Sequence, residues 1–423
     1  MQAEDPTLGD ICELVVDSEH KTPPYEEDGH LYIRTPNIGK GRLKLDDAKY
    51  VSDESYEEWT QRAVPQAGDL VLAREAPVGN VIMIPENQSV CLGQRTVLLR
   101  PDEEQVVPRY LMYLLLGHEM QGLIQSLSTG STVAHLNMSD IRSLSLPELP
   151  PLPVQRRIAG ILGAYDDLIA NNRRRIELLE EMATAIFREW FVHYRFPGHA
   201  DVEMRETEMG AVPKHWDVVT VPEAIEVNPR IPIPDGEKHY VPMSNVSEDS
   251  MVVTHAEMRD QRRGRKFQNG DTLFARITPS LENGKTGFVQ FLPSDDDVGV
   301  GSGELIGLRS KTLCPEYVYL LARTERFRQN AIKSMTGSAG RQRVKLDCFD
   351  NFPIVQPDQK TLDRFENTVR PMFESVQNLV ERIQVLRNMR DLLLPRLVAG
   401  EIEAEEMYDL QTTTSLEDQT QTG

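Results

Sequence analysis

Residues 151–194 read PLPVQRRIAGILGAYDDLIANNRRRIELLEEMATAIFREWFVHY, and residues 358–402 read DQKTLDRFENTVRPMFESVQNLVERIQVLRNMRDLLLPRLVAGEI. In the first stretch Ile158, Leu162, Tyr165, Ile169, Asn172, Ile176, Leu179, Ala183, Ile186 and Trp190 recur at steps of four and three. In the second, Phe365, Val369, Met372, Val376, Leu379, Ile383, Leu386, Arg390, Leu393 and Leu397 do the same, each 207 positions further on. A seam of that period over more than four heptads predicts a long coiled-coil helix in each stretch. Asn172 and Arg390 are the clearly polar seam positions, of the kind that set register at a cost in stability. Two helices with matching seams in one chain pack most simply against each other.

Working outward, the segments before each helix also match. Tyr240-Val-Pro-Met-Ser-Asn-Val246 answers Tyr32-Ile-Arg-Thr-Pro-Asn-Ile38, and Gly270-Asp-Thr-Leu-Phe-Ala-Arg276 answers Gly68-Asp-Leu-Val-Leu-Ala-Arg74. Thr336-Gly-Ser338 answers Thr129-Gly-Ser131. Short apolar runs after turn residues predict strands at 31–38, 67–73, 80–84 and 96–100, and periodicity predicts a helix over 110–127. A repeat of this kind decides architecture. The predicted fold class is α+β: a tandem duplication of a mixed α/β domain plus a long helix. Connectivity makes the two helices an antiparallel coiled-coil rod with pseudo-twofold symmetry. The expected boundaries are a first globular domain at 1–150, a central helix at 151–197, a second globular domain at 205–356, a C-terminal helix at 357–402 and an acidic, disordered tail at 403–423. Phe196-Pro-Gly198 is expected to stop the first helix, Pro371 to kink or delay the second, and Pro395 to end it. From Ile158 to Trp190 the rod would span roughly 50 Å.

A chain of 423 residues is too long for one core. The sequence lacks an apolar run of bilayer length and a signal-peptide core, so a cytoplasmic protein without membrane contact is expected. Cys12, Cys91, Cys314 and Cys348 show no metal or disulfide spacing, and the nine histidines show no HxxxH or HExxH pattern. No metal site is therefore expected. A net charge of −20 argues against coating nucleic acid by bulk charge, yet leaves room for local basic faces.

The chain resembles the specificity (S) subunits of Type I restriction–modification enzymes. The resemblance rests on Pro147, Pro150 and Pro151, then Pro153-Val-Gln-Arg-Arg-Ile-Ala-Gly-Ile-Leu162, Tyr165-Asp-Asp-Leu-Ile169 and Asn171-Asn-Arg-Arg174. Leu178-Leu-Glu-Glu-Met-Ala183, Glu189-Trp-Phe191, Gly210-Ala-Val-Pro-Lys-His-Trp216 and Leu392-Leu-Leu-Pro-Arg-Leu397 extend it over nearly the whole chain. It implies that the globular domains are target-recognition domains, each reading one half of a bipartite, asymmetric site on double-stranded DNA. It further implies that the rod sets the spacer and docks two methyltransferase (M) subunits, with restriction/translocase (R) subunits joining for restriction. No catalysis and no cofactor are implied for this chain. S-adenosylmethionine would belong to the methyltransferase partner, and ATP and Mg to the nuclease partner.

Reading DNA needs hydrogen-bonding and cationic side chains on loops. The candidates in the first domain are Lys21, Arg34, Asn37, Lys40, Arg42, Arg74, Thr129, Ser131 and His135. In the second they are Asn245, Arg262, Arg263, Arg265, Lys266, Arg276, Lys285, Thr336, Ser338, Arg341, Arg343 and Lys345. A solvated surface residue is the ordinary reading for any one of them. The basic run Arg262-Arg-Gly-Arg-Lys266 stands out from the acidic background as a phosphate-contacting segment. Arg173-Arg-Arg175 has its outward pair placed for a docking partner.

Two signals imitate an enzyme. Thr22-Pro-Pro-Tyr25 is similar to the Asn/Asp-Pro-Pro-Tyr motif of amino-methyltransferases, with Thr where that chemistry needs a carboxylate or amide. Gly299-Val-Gly-Ser-Gly303 is similar to a nucleotide loop, but without a clear helix after it a turn is favoured. The alternative function is a coiled-coil scaffold, or an orphan subunit, whose heads bind protein rather than DNA.

Overall fold

The computed structural model describes residues 5–45, 47–128, 134–254, 257–338 and 340–400. Thr129, Ser131 and the acidic tail from 403 onward lie outside the described residues. The chain divides into two units, one holding the residues up to Leu168 together with those from Leu386, the other holding Ile169–Val385. Each unit thus combines a globular head with segments of both long helices.

In the first unit four antiparallel strands lie in the order Cys12–Asp17, Thr96–Pro101, Leu70–Ala73 and Val81–Met83. A second sheet orders Lys49–Val51, His30–Ile33 and Val90–Leu92, the last pair parallel. The second unit repeats this pattern. Its antiparallel sheet is Ile225–Val227, Leu305–Ser310, Thr272–Ala275 and Thr286–Phe288. Its other sheet again has one parallel pair, Lys238–Val241 with Gly299–Gly301. The central strands Leu70–Ala73 and Thr272–Ala275 are buried at every position, as a short run packed on both faces requires.

The repeated Gly-Asp pair now has a physical account. Gly68 and Gly270 enter the strand at φ +90° and +83°, a region glycine occupies without steric cost. The aspartate that follows each accepts from the backbone N–H of the residue three before it: Gln66 to Asp69 and Gln268 to Asp271, both 2.8 Å. The turn and the start of the strand are thereby closed together.

The segment 110–127 is two helices, Pro108–Leu116 and His118–Leu127, and not the single one expected. Gly117 sits between them in extended backbone at φ −63°, ψ 152°. The second unit has the same break at Thr324, between Pro315–Arg323 and Glu325–Lys333. Between the first long helix and the second head, Met204–Thr207 pairs with Gly210–Pro213 as a hairpin.

Both seams form helix, Leu152–Phe187 and Gln359–Val398. The first passes into a π-turn at Arg188–Val192 and stops at Tyr194, φ +56°, ahead of the expected Phe196-Pro-Gly198. The second runs unbroken through both prolines. A proline inside a helix costs about 3 kcal/mol. Phe365, Val369, Phe373 and Val376 are buried around Pro371, and each large buried side chain contributes roughly 1.5–3 kcal/mol, so packing wins. Past Pro395 the Ala399 N–H still donates to the Pro395 carbonyl at 2.9 Å. Gly400, at φ +68°, is the real stop.

Of the seam positions, Ile158, Leu162, Ile169, Asn172, Ile176, Phe365, Val369, Val376, Leu379 and Ile383 are buried. Tyr165, Leu179, Met372 and Leu386 are half-buried. Near the 187 end the buried face moves one residue on, to Phe187 and Phe191 in place of Ile186 and Trp190. A straight helix drifts about 20° per heptad against a strict seven-residue repeat, so four heptads approach one residue step. In the first unit Leu397 joins the core with Ile158 and Leu162. In the second, Phe187 and Phe191 pack on Phe365 at ring separations of 6.2 and 4.7 Å.

Candidate nucleic-acid interface

The polar candidates fall into two sets in each head. The first set surrounds the loop that follows the parallel strand. Asn37 is buried; its side-chain oxygen accepts from the Arg34 N–H at 3.0 Å and its amide donates to the Lys44 carbonyl at 3.0 Å. Asn245, the equivalent residue at an offset of 208, donates to the Thr254 carbonyl at 2.8 Å. Each asparagine is a clasp that closes its own loop. Arg34 binds Asp47 at 2.6 Å, and hydrogen bonds from Arg34 and Lys49 hold the Asp47 carboxyl down to about 2. Lys40 lines a cleft of the first unit with Asp166, Arg390 and Asp391. Arg42, exposed, lies within electrostatic reach of Arg387. This loop therefore faces helix. In the second unit the loop does the same, since Ser250 Oγ and the Met251 N–H donate to Glu180 of the first long helix at 2.7 and 2.6 Å.

The second set lies where the central strand ends and the loop after the paired helices returns. Arg74 donates through Nε to the Leu136 carbonyl at 3.0 Å and receives the Leu136 N–H at its own carbonyl, also 3.0 Å. Arg276 repeats both bonds with Val344, at 3.3 and 2.9 Å. These two arginines are struts that pin the return loop to the sheet. His135 bridges to Glu75 beside the first strut, and Asp17 pairs with Arg74 at 2.6 Å and with His20 at 3.2 Å.

In the second unit the same place gathers three arginines around one carboxylate, with a fourth, Arg265, beside them. Arg343 donates through Nε to both Glu304 oxygens, at 3.1 and 2.9 Å. That bond, with Arg276 and Arg341 adding their charge, holds Glu304 below the usual carboxylate range. Arg265 donates to the Leu305 carbonyl at 3.0 Å, and burial followed by the charge of Arg276 lowers its pKa. Arg341 and Lys345 are exposed, on either side of Gln342 and the paired Arg343. The hairpin that presents Arg341 is closed by Thr336 bonding to Arg343 in both directions, at 2.9 and 3.0 Å. Gly337 at its tip, φ +140°, leaves 2.7 Å between an added Cβ and the Arg341 carbonyl, which only glycine tolerates. Ser338 is exposed beside it. The surplus of positive charge over one acid suits a phosphate or a guanine edge.

The remaining candidates do not join this cluster. Lys285 donates to the Met243 carbonyl at 3.3 Å. Arg262 pairs with Asp235, while Arg263 is exposed and Lys266 half-buried. Lys21 is exposed in the first head. Arg95 was not anticipated. It sits at φ +68° in the turn before Thr96–Pro101, half exposed, with Glu75 2.9 Å from its Nε. Only that partner twenty positions back distinguishes it from any surface arginine.

The two enzyme-like stretches each have a place in the fold. Gly299 and Gly301 are strand residues where a turn was expected, and the strand forms there because glycine lets the Phe267 ring lie against it: a Cβ at Gly299 would run into that ring. Thr22 accepts from Gln94 at 3.2 Å, and Tyr25 packs near Tyr32. Among the described residues no cluster could hold a metal ion, and no helix is long and apolar enough to cross a membrane.

Residues 3–181 match the family described as the Type I restriction modification DNA specificity domain. The Type I restriction enzyme MjaIX specificity subunit of Methanocaldococcus jannaschii is 24% identical over 369 residues, covering 84% of this chain and 82% of that protein. The HindI specificity subunit of Haemophilus influenzae is 21% identical over 402 residues, covering 79% and 86%. The fold is shared with the S subunit of the Type I restriction–modification system from M. genitalium, at a TM-score of 0.56, 14% identity and coverage of 93% and 95%. Residues 3–181 thus match the Type I restriction modification DNA specificity domain, the chain is similar to Type I specificity subunits over most of its length, and the duplicated fold is the one it shares with a solved S subunit.

Proposed function

We propose that this chain is the non-catalytic DNA-recognition subunit of a Type I restriction–modification complex. Each head would read one half of a bipartite, asymmetric site, and the paired helices would set the spacer. The observation that carries this reading is the same strutted loop in both heads with different side chains on it. Arg74 and Arg276 pin it alike, yet one cluster is His20, Arg74, Glu75, Arg95 and His135, and the other is Arg265, Arg276, Glu304, Arg341 and Arg343. One scaffold with two chemistries suits two different half-sites. A scaffold that bound protein would not need a cationic cluster in a chain of net charge −20.

Two methyltransferase subunits would dock on the long helices. Arg175, Leu178, Met182 and Ala185 are exposed on the first, and Arg382, Val385, Met389 and Leu392 are exposed on the second at the same offset of 207. An apolar stripe headed by arginine, present twice, suits two copies of one partner helix. S-adenosylmethionine would be bound by that partner, ATP and Mg by the restriction subunits, and the complex would work in the cytoplasm.

Co-expression with the methyltransferase subunit, followed by methylation-sensitive sequencing of host DNA, tests the reading. A methylated motif of two short halves around a fixed gap is expected. A complex that forms and methylates no split motif would refute it.

A further inference from the structure

The junction between each head and its long helix carries the same contact with its polarity reversed. In the first unit Arg109, at the start of the helix Pro108–Leu116, reaches onto the first long helix. Its Nη2 donates to Asp167 at 2.8 Å and to the Gly163 carbonyl at 3.2 Å. The guanidinium lies so flat on the helix that a Cβ at Gly163 would be 2.6 Å from its Cζ. In the second unit the residue equivalent to Arg109 is Glu316 (109 to 316, an offset of 207), and the residue equivalent to Gly163 is Arg370 (163 to 370). Here the long side chain comes from the helix: Arg370 Nε lies 3.1 Å from Glu316 Oε1, and its guanidinium also pairs with Glu366. Glu366 in turn stands where the first unit has Ala159.

Charge and shape are both exchanged. The first head supplies a cation and its helix a small residue; the second head supplies an anion and its helix a long cation, while a carboxylate stands on both helices at Asp167 and its equivalent Glu374. We propose that this reversed contact assigns each head to the helix of its own repeat. If the first head met the second helix, Arg109 would face Arg370, two long cations in one space. If the second head met the first helix, Glu316, 3% exposed, would be buried with no cation and with Asp167 nearby. The first pairing crowds two long guanidinium side chains into one space, with Glu366 and Glu374 of that helix beside them, and the second leaves a buried anion without a cation, which is the costly arrangement. Two repeats similar enough to share a fold are thus kept from trading partners, within one chain or between two copies of it. The order in which the two heads are presented is set at this contact.

The test uses full-length protein and needs no DNA. Arg109→Glu and Glu316→Arg should each lower the melting midpoint by about 10 °C. Arg109→Glu with Gly163→Arg copies the second junction into the first, and Glu316→Arg with Arg370→Gly does the converse; each double variant should regain most of the loss. A chain whose heads have changed places should melt lower than the natural one, and reversing the two head charges in it should restore the midpoint. If a single variant fails to fold, recovery of soluble protein by its double partner is the supporting result. Single losses that the doubles do not recover, or an exchanged chain as stable as the natural one, would overturn the proposal.

Discussion

Arg309 grips Asp271 through two parallel hydrogen bonds, Nε to Oδ1 and Nη2 to Oδ2, both 2.7 Å, and Arg100 holds Asp69 in the same way at 2.8 and 2.7 Å. Each bidentate pair ties the strand beginning at the Gly-Asp turn to its central neighbour, and Asp271 is buried. The hydrogen bonds hold the Arg309 guanidinium above its ordinary value. Replacing Asp271 by Ala strands a partly buried cation and should cost about 3 kcal/mol, with Asp69→Ala close behind. Urea unfolding measures both. A loss under about 1 kcal/mol, the size of an ordinary hydrogen bond, would mean that the backbone alone closes the turn.

Arg341 and Arg343 should separate in a binding assay. Arg341→Ala removes an exposed cation, so affinity for the cognate DNA should fall and the salt slope of log Kd should shrink by about one unit, with stability unchanged. Arg343→Ala also releases Glu304 toward the DNA and should weaken binding more than Arg341→Ala does. Fluorescence anisotropy over a salt series reads both effects; no loss from either substitution would place the hairpin away from the DNA.

Asn172 is buried on the seam, and among the described residues its Nδ2 finds no acceptor. An unpaired buried donor costs about 1–3 kcal/mol, so Asn172→Leu should raise the melting midpoint. A lower midpoint would show that the amide is satisfied.

Glu180 gives the second unit a pH dependence. Burial pushes its carboxyl up from an ordinary 4.5, against the hydrogen bonds from Ser250 and Met251. A folded-state value above the unfolded one means a contribution fully present below about pH 4.5 and lost as pH rises through the raised value. Acidification from neutral toward about pH 5 should therefore favour the natural protein over Glu180→Gln. Melting the two proteins across that range checks it, and a constant difference would contradict it.

Met182 and Met389 occupy equivalent exposed positions. Met182→Glu and Met389→Glu should each remove one methyltransferase copy, and the pair should remove both. Mass measurement of the co-expressed complex counts them.

The sequence alone determined the duplication and the two long helices, because periodic apolar spacing and repeated turn residues act locally. Placing Ile158, Leu162, Phe365 and Val369 on an inward face needs only the period of a helix, and those side chains are buried. Local rules failed where distant packing outweighed them. Pro371 and Pro395 break helices in isolation, but here the flanking apolar side chains keep the second helix whole. The division of labour among the polar candidates was decided by tertiary structure alone. Arg74 and Arg276 became struts because Leu136 and Val344, more than sixty residues away in sequence, return to them. Arg341 was left facing outward by a hairpin that Thr336 and Arg343 close. A hydrogen bond depends on which groups the finished fold brings within about 3 Å, and no spacing along the chain encodes that distance.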